Sequence, residues 1–137
     1  METSRDAGFS LIELIVVVVI LGLLAAVIGP SVIHRGAEAK KQIAFVQISE
    51  LEQALEAFYF DNSCYPTTTE GLEALIENPG VPNWNGPYLK KRKIPVDPWN
   101  REFQYRSPGQ FNDCDIWSLG ADGLEGGEGE AADIVSW

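Results

Sequence analysis

Polar and apolar positions divide the chain into two regimes. From Phe9 to Ile33 nearly every side chain is aliphatic, and the one ionisable group is Glu13. As a helix rising about 1.5 Å per residue, that stretch reaches about 37 Å, more than a hydrocarbon core of about 30 Å. The pattern predicts a transmembrane helix. Gly29-Pro30 interrupts the run; a proline removes a helical hydrogen bond and crowds the preceding turn, so a kink or local melting is expected there. Further on, Ala44, Ile48, Leu51, Leu55 and Phe58 are spaced by four, three, four and three residues, which makes one helical stripe. Glu50, Glu52 and Glu56 fall mainly off it. This predicts an amphipathic stem to about Asp61, half buried against a sheet, with Ile43 and Phe45 widening the apolar surface towards neighbouring subunits.

Asp61 to Pro66 closes the stem. Thr67 and Glu70 then have capping-box spacing, and the helix they start carries Leu72, Leu75 and Ile76 and ends at Asn78-Pro79-Gly80. The loop to Pro87 is expected to be irregular. Glu102 to Arg106 alternates as a strand does, Ser107-Pro108-Gly109 turns the chain, and Asp115 to Leu119 is its expected antiparallel partner.

Charge narrows the chemistry. A net charge of −10 argues against nucleic acid, whose phosphates attract Lys and Arg. The one basic cluster, Lys90 to Lys93, is a solvated face or a contact for the acidic surface of a second copy. His34 is the sole histidine, and no nucleophile–base arrangement or phosphate loop occurs, so no enzyme is expected. Glu13 is costly inside the span, by about 2.5–3.5 kcal/mol at a helix centre. Either it snorkels to the interface or it meets a cation, such as the new amine of a neighbouring copy. From Gly120 to Asp133 five carboxylates stand among five glycines. Their mutual repulsion and the entropy of ordering glycine leave two readings open: a floppy solvated loop, or a Ca²⁺ site built from carboxylates and carbonyls. Cys64 and Cys114 are either two free thiols or a disulfide of an extracytoplasmic domain, stabilising by about 4 kcal/mol in the chain-entropy model.

The run G-F-S-L-I-E-L-I-V-V-V-V-I-L-G-L-L-A-A-V resembles the class III leader and N-terminal helix of type IV pilins and pseudopilins. A secretory signal would instead place a small-residue cleavage site after its apolar region. The resemblance implies a prepilin peptidase cut after Gly8, methylation of the new N-terminal Phe9, and pairing of Glu13 with a neighbour's amine during filament assembly. Pro30 stands where family pilins carry a proline around which the helix loosens. Y-P-T-T-x-E-G-L-E-A-L, P-Y-L-K-K, D-P-W-N and S-L-G-A-D-G-x-E-G-G-E-G-E are similar to the major pseudopilins of type II secretion systems.

That resemblance implies a pilin-like α+β fold. A leader (1–8), a transmembrane and assembly helix (9–33) and an amphipathic stem (34–61) precede a periplasmic head (62–137) with a small antiparallel sheet and a C-terminal calcium loop. It implies one Ca²⁺ held by the Leu119 carbonyl and Asp122, then Asp133, with Glu128 and Glu130 as further ligands. The implied partners are copies of the chain itself, minor pseudopilins, the inner-membrane assembly platform, the prepilin peptidase and the inner membrane. Lys and Arg near the span, with Arg5 before it and Arg35, Lys40 and Lys41 after it, would by themselves place the head in the cytoplasm; the leader motif overrides them. Cys64 and Cys114 depart from the family's usual lack of cysteine and lend some support to a surface type IV pilin. A membrane-tethered enzyme or calcium-binding module is the alternative from another class.

Overall fold

The computed structural model describes residues 8–137, with the side chains of 29–34 outside that description. The expected leader is thus described only at Gly8. α1 (Leu11–Asn62) is a helix of 52 residues. Ser10 opens it: its hydroxyl accepts the Glu13 N–H at 3.3 Å and its carbonyl the Leu14 N–H at 3.2 Å. The expected melting at Gly29-Pro30 is corrected, because the helix passes through both residues unbroken. A proline withdraws one N–H from the ladder, and the aliphatic turns on either side carry the helix across it.

The chain divides into two compact units, Met1–Gly36 and Ala37–Trp137. In the second, the predicted stripe is the floor of the core: Ala44, Ile48, Leu51, Leu55 and Phe58 are at most 1% exposed. Ala54 joins them, and Leu72, Ala74, Leu75, Phe103, Ile116 and Ile134 cover them from the other side. Burying each large aliphatic or aromatic side chain stabilises the fold by about 1.5–3 kcal/mol, so this helix face anchors everything after it.

The helix ends as Asn62 Nδ2 donates to the Phe58 carbonyl at 3.0 Å and Ser63, at φ 59°, closes the last turn. Thr67 and Glu70 do form the capping box: the Thr67 N–H donates to Glu70 Oε2 at 2.7 Å, and the Glu70 N–H to Thr67 Oγ1 at 3.3 Å. The helix expected after it shrinks to one 3₁₀ turn, Leu72–Leu75, because Gly71 at φ 65° redirects the chain. The irregular loop that follows is pinned by aromatics. Trp84 Nε1 donates to the Ala74 carbonyl at 2.8 Å, and the Tyr88 hydroxyl to Asp61 Oδ2 at 2.8 Å.

The sheet is antiparallel with strand order β1 (Gln104–Arg106), β2 (Asp115–Ser118), β3 (Ile134–Val135). Tyr105 pairs with Ile116 and Ser118 with Ile134. β1 and β2 fall inside the predicted strands. β3 was not foreseen, since two residues are too few to show an alternation.

Candidate functional site

Two regions carry the residues singled out by sequence. The first is the start of α1. Leu11–Ile28 has a mean hydropathy of 3.2 and none of it is buried; Phe9 is 83% exposed. Aliphatic side chains laid open in this way need lipid or other helices as their surroundings. Glu13 lies in the first turn of α1, where the unpaired N–H groups and the helix dipole favour a negative charge. Ser10 and Glu13 repeat the capping-box spacing already read at Thr67 and Glu70, a signal present in the sequence but not applied there.

The second is the loop between β2 and β3. Ser118 and Ile134 pair at its neck, so the loop leaves and re-enters the sheet at one place. Gly120 is buried, with φ 65°, and a Cβ there would lie 2.7 Å from the Ala132 carbonyl oxygen; only glycine allows the two limbs to come so close. Asp122 Oδ1 accepts the Leu124 N–H at 3.0 Å, and Asp133 Oδ2 the Gly126 N–H at 2.9 Å. Asp133 Oδ1 is buried and accepts no hydrogen bond.

Among the described residues no three acidic, histidine or cysteine side chains converge as a metal-binding group. Leu119, Asp122, Glu128, Glu130 and Asp133 share the loop, yet the four carboxylates among them are not gathered at one point. Glu128 and Glu130 are exposed beside the short 3₁₀ turn Gly129–Ala131. The donors nevertheless suit a hard cation. All are oxygens, and a buried carboxylate oxygen without a partner is costly unless a cation faces it.

Cys64 and Cys114 are free thiols, the first exposed and the second half-buried; the disulfide entertained from sequence is not formed here. Burial pushes the Cys114 thiol up to about 11, helped by the carboxylates of Glu52, Asp113 and Asp115. Its cleft, about 580 Å³, is lined by Glu52, Glu56, Tyr65 and Asp113 among others. Burial also raises Glu52, with Glu56 adding to the shift.

Two further acids were overlooked, Asp97 in a turn-rich segment and Asp115 at the first position of β2, because at both places polarity reads as exposure. Asp97 is 3% and Asp115 0% exposed. Burial alone would raise Asp115. The Arg106 guanidinium at 2.9 Å and the backbone N–H groups of Gln110, Asn112 and Phe111 outweigh it, holding the carboxyl below its usual range.

An aliphatic span with one acid in its first turn, running as a single helix into a small α+β head, defines a pilin-like, membrane-anchored subunit. Known sequences agree. The family described as "Type II secretion system (T2SS), protein G" matches residues 31–137, and the "Prokaryotic N-terminal methylation motif" matches residues 3–29. The chain belongs to the type II secretion system protein G family. It is 47% identical to "Type II secretion system core protein G" of Pseudomonas aeruginosa over 142 residues, covering 100% of this chain and 99% of the other. Its counterpart in Vibrio cholerae is 47% identical over 140 residues, covering 99% and 94%. The crystal structure of the major pseudopilin from the type 2 secretion system of enterohaemorrhagic Escherichia coli superposes with a TM-score of 0.64 at 34% identity, covering 75% of this chain and 90% of that one.

Proposed function

We propose that this chain is the structural subunit of a periplasmic pseudopilus, polymerising through its N-terminal helix to help export folded proteins across the outer membrane. One observation carries the reading: an entirely exposed aliphatic span, Leu11–Ile28, has its single acid in the first turn. In the inner membrane, lipid covers that span and the head faces the periplasm. In the filament, other copies cover it. Cleavage after Gly8 and methylation of Phe9 give each copy a new N-terminal amine, and Glu13 of a neighbouring copy pairs with it. An ion pair shielded from water is strong enough to set register. Minor pseudopilins, the assembly platform and the prepilin peptidase act on the same N-terminal segment. The role is structural, with no catalysis by the head.

Within the head, the β2–β3 loop takes one Ca²⁺. Asp133 and Asp122 supply carboxylate oxygens and Leu119 a carbonyl, while Glu128 and Glu130 contribute charge around the loop. The ion, when bound, would supply positive charge to a loop that carries five acids. The experiment that tests the assembly reading is Glu13→Ala: the variant inserts in the inner membrane, is processed and fails to form filaments. Normal filament yield from it would refute the pairing.

A further inference from the structure

Four hydrogen bonds close a ring around the entrance of the β2–β3 loop. Buried Asp97 accepts the Arg101 N–H on Oδ1 at 2.8 Å and the Ser118 hydroxyl on Oδ2 at 2.7 Å. Ser118 Oγ in turn accepts the Gly120 N–H at 3.3 Å, and the Arg101 guanidinium donates to the Gly120 carbonyl at 2.6 Å. Gly120 is therefore held by both of its backbone groups, along two routes that start at one carboxylate. The guanidinium reaches further. Both of its terminal nitrogens lie 3.3 Å from the Ala121 carbonyl, and a Cβ on Gly123 would sit 2.7 Å from Arg101 Cζ. One arginine thus lies against three of four consecutive loop residues.

We propose that Arg101 is a positioning residue for the calcium loop, fixing the limb from Leu119 to Asp122 before any ion arrives. The proposal rests on the calcium reading above. With the Gly120 and Ala121 carbonyls engaged by the guanidinium, the Leu119 carbonyl and the Asp122 carboxylate remain for the ion. An arginine is an unexpected neighbour for a cation, and this makes its role testable by sign. As a bare charge it repels Ca²⁺, so its removal would tighten binding. As a clamp it spares the ion the entropy of ordering a glycine-rich limb, so its removal weakens binding.

The test uses the full chain in detergent micelles. Calorimetric titration with Ca²⁺ compares the parent with Arg101→Gln and Arg101→Lys, the latter keeping the charge without the planar fork. Tryptophan near-ultraviolet dichroism checks that each variant keeps the parent's packing, and the lysine variant carries the test if the glutamine variant does not. The expected result is binding about tenfold weaker in both, with faster amide exchange from Gly120 to Leu124 in EDTA. Binding as tight as the parent's, or tighter, overturns the proposal. If the parent itself takes up no Ca²⁺, the calcium reading falls. Exchange in EDTA then decides on Arg101 alone, and unchanged protection in the variants rejects the clamp.

Discussion

β2 is flanked by two loops, and a shielded acid stands at the far end of each, Asp115 as the first residue of β2 and Asp133 just before β3. Where the loop from β1 enters β2, Asp115 accepts Gln110 N–H at 2.6 Å, Asn112 N–H at 3.0 Å and Phe111 N–H at 3.3 Å, and pairs with Arg106 at 2.9 Å. Gly109 comes so close that a Cβ there would lie 2.6 Å from Asp115 Oδ1. In the loop between β2 and β3, Asp133 accepts one N–H and leaves a buried oxygen bare. An arginine from before β1 lies against that loop too, but Arg101 donates to the Gly120 and Ala121 carbonyls. The first acid has a cation from the chain, Arg106, whereas no ion pair is seen at Asp133 among the described residues. Two neighbouring turns on one strand thus differ in what they need from outside. The first is complete once folded, and the second keeps a buried carboxylate oxygen that an ion, on the reading proposed above, would face.

The contrast can be broken most sharply at Asp115. Asp115→Ala leaves a guanidinium and three N–H groups without their acceptor, and should lower stability by about 3 kcal/mol, with or without calcium. Urea unfolding of the full chain in micelles reads this; a loss below about 1 kcal/mol would show that the first loop does not depend on its acid. The same carboxyl sets an acid limb. Its native value is depressed, so its contribution is fully present above about pH 4, the unfolded value, and disappears as pH falls through the native value. Asp115→Asn should flatten that limb, with stability followed from pH 5 to pH 2.

Calcium comes next. At a concentration a hundred times its Kd, an ion that binds only the folded state stabilises it by about 2.7 kcal/mol. EDTA should remove that increment from the parent, while Asp133→Asn should melt alike with and without calcium. Equal melting of the parent in EDTA and in calcium would put the two loops in one class.

The smallest expected effect concerns access. Cys114 adjoins Asp115 and its thiol is pushed up to about 11, whereas Cys64 is exposed. With iodoacetamide at pH 8, Cys64 should be alkylated roughly tenfold faster, followed by mass spectrometry of tryptic peptides. Equal rates would mean that the first loop opens readily.

Much of this was legible from residue order. A period of 3.6 over four turns gave the buried stripe from Ala44 to Phe58, because a helix face in contact with a core cannot tolerate a misplaced charge. The apolar span and Glu13 were equally plain. Less legible were features that depend on distant residues. The Thr67–Glu70 box is correct, yet Gly71 cuts its helix to one turn, since a single positive φ overrides four good helix formers. Asp97 looks like a turn residue and Asp115 like the exposed polar end of a strand, and both are in fact buried acceptors. Arg101 was passed over because its partners lie about twenty positions away. The five acids of the second loop could be counted in the sequence, whereas the oxygen left bare among them could not.

The continuity of α1 has a consequence for how a subunit changes surroundings. The exposed apolar span ends at Ile28, and the residues that build the core begin at Ala44. The two duties share one helix without sharing a side chain. On the proposed reading, passage from bilayer to filament would swap the neighbours of one segment and leave the hydrophobic interior of the other undisturbed, so that a copy is recruited already folded.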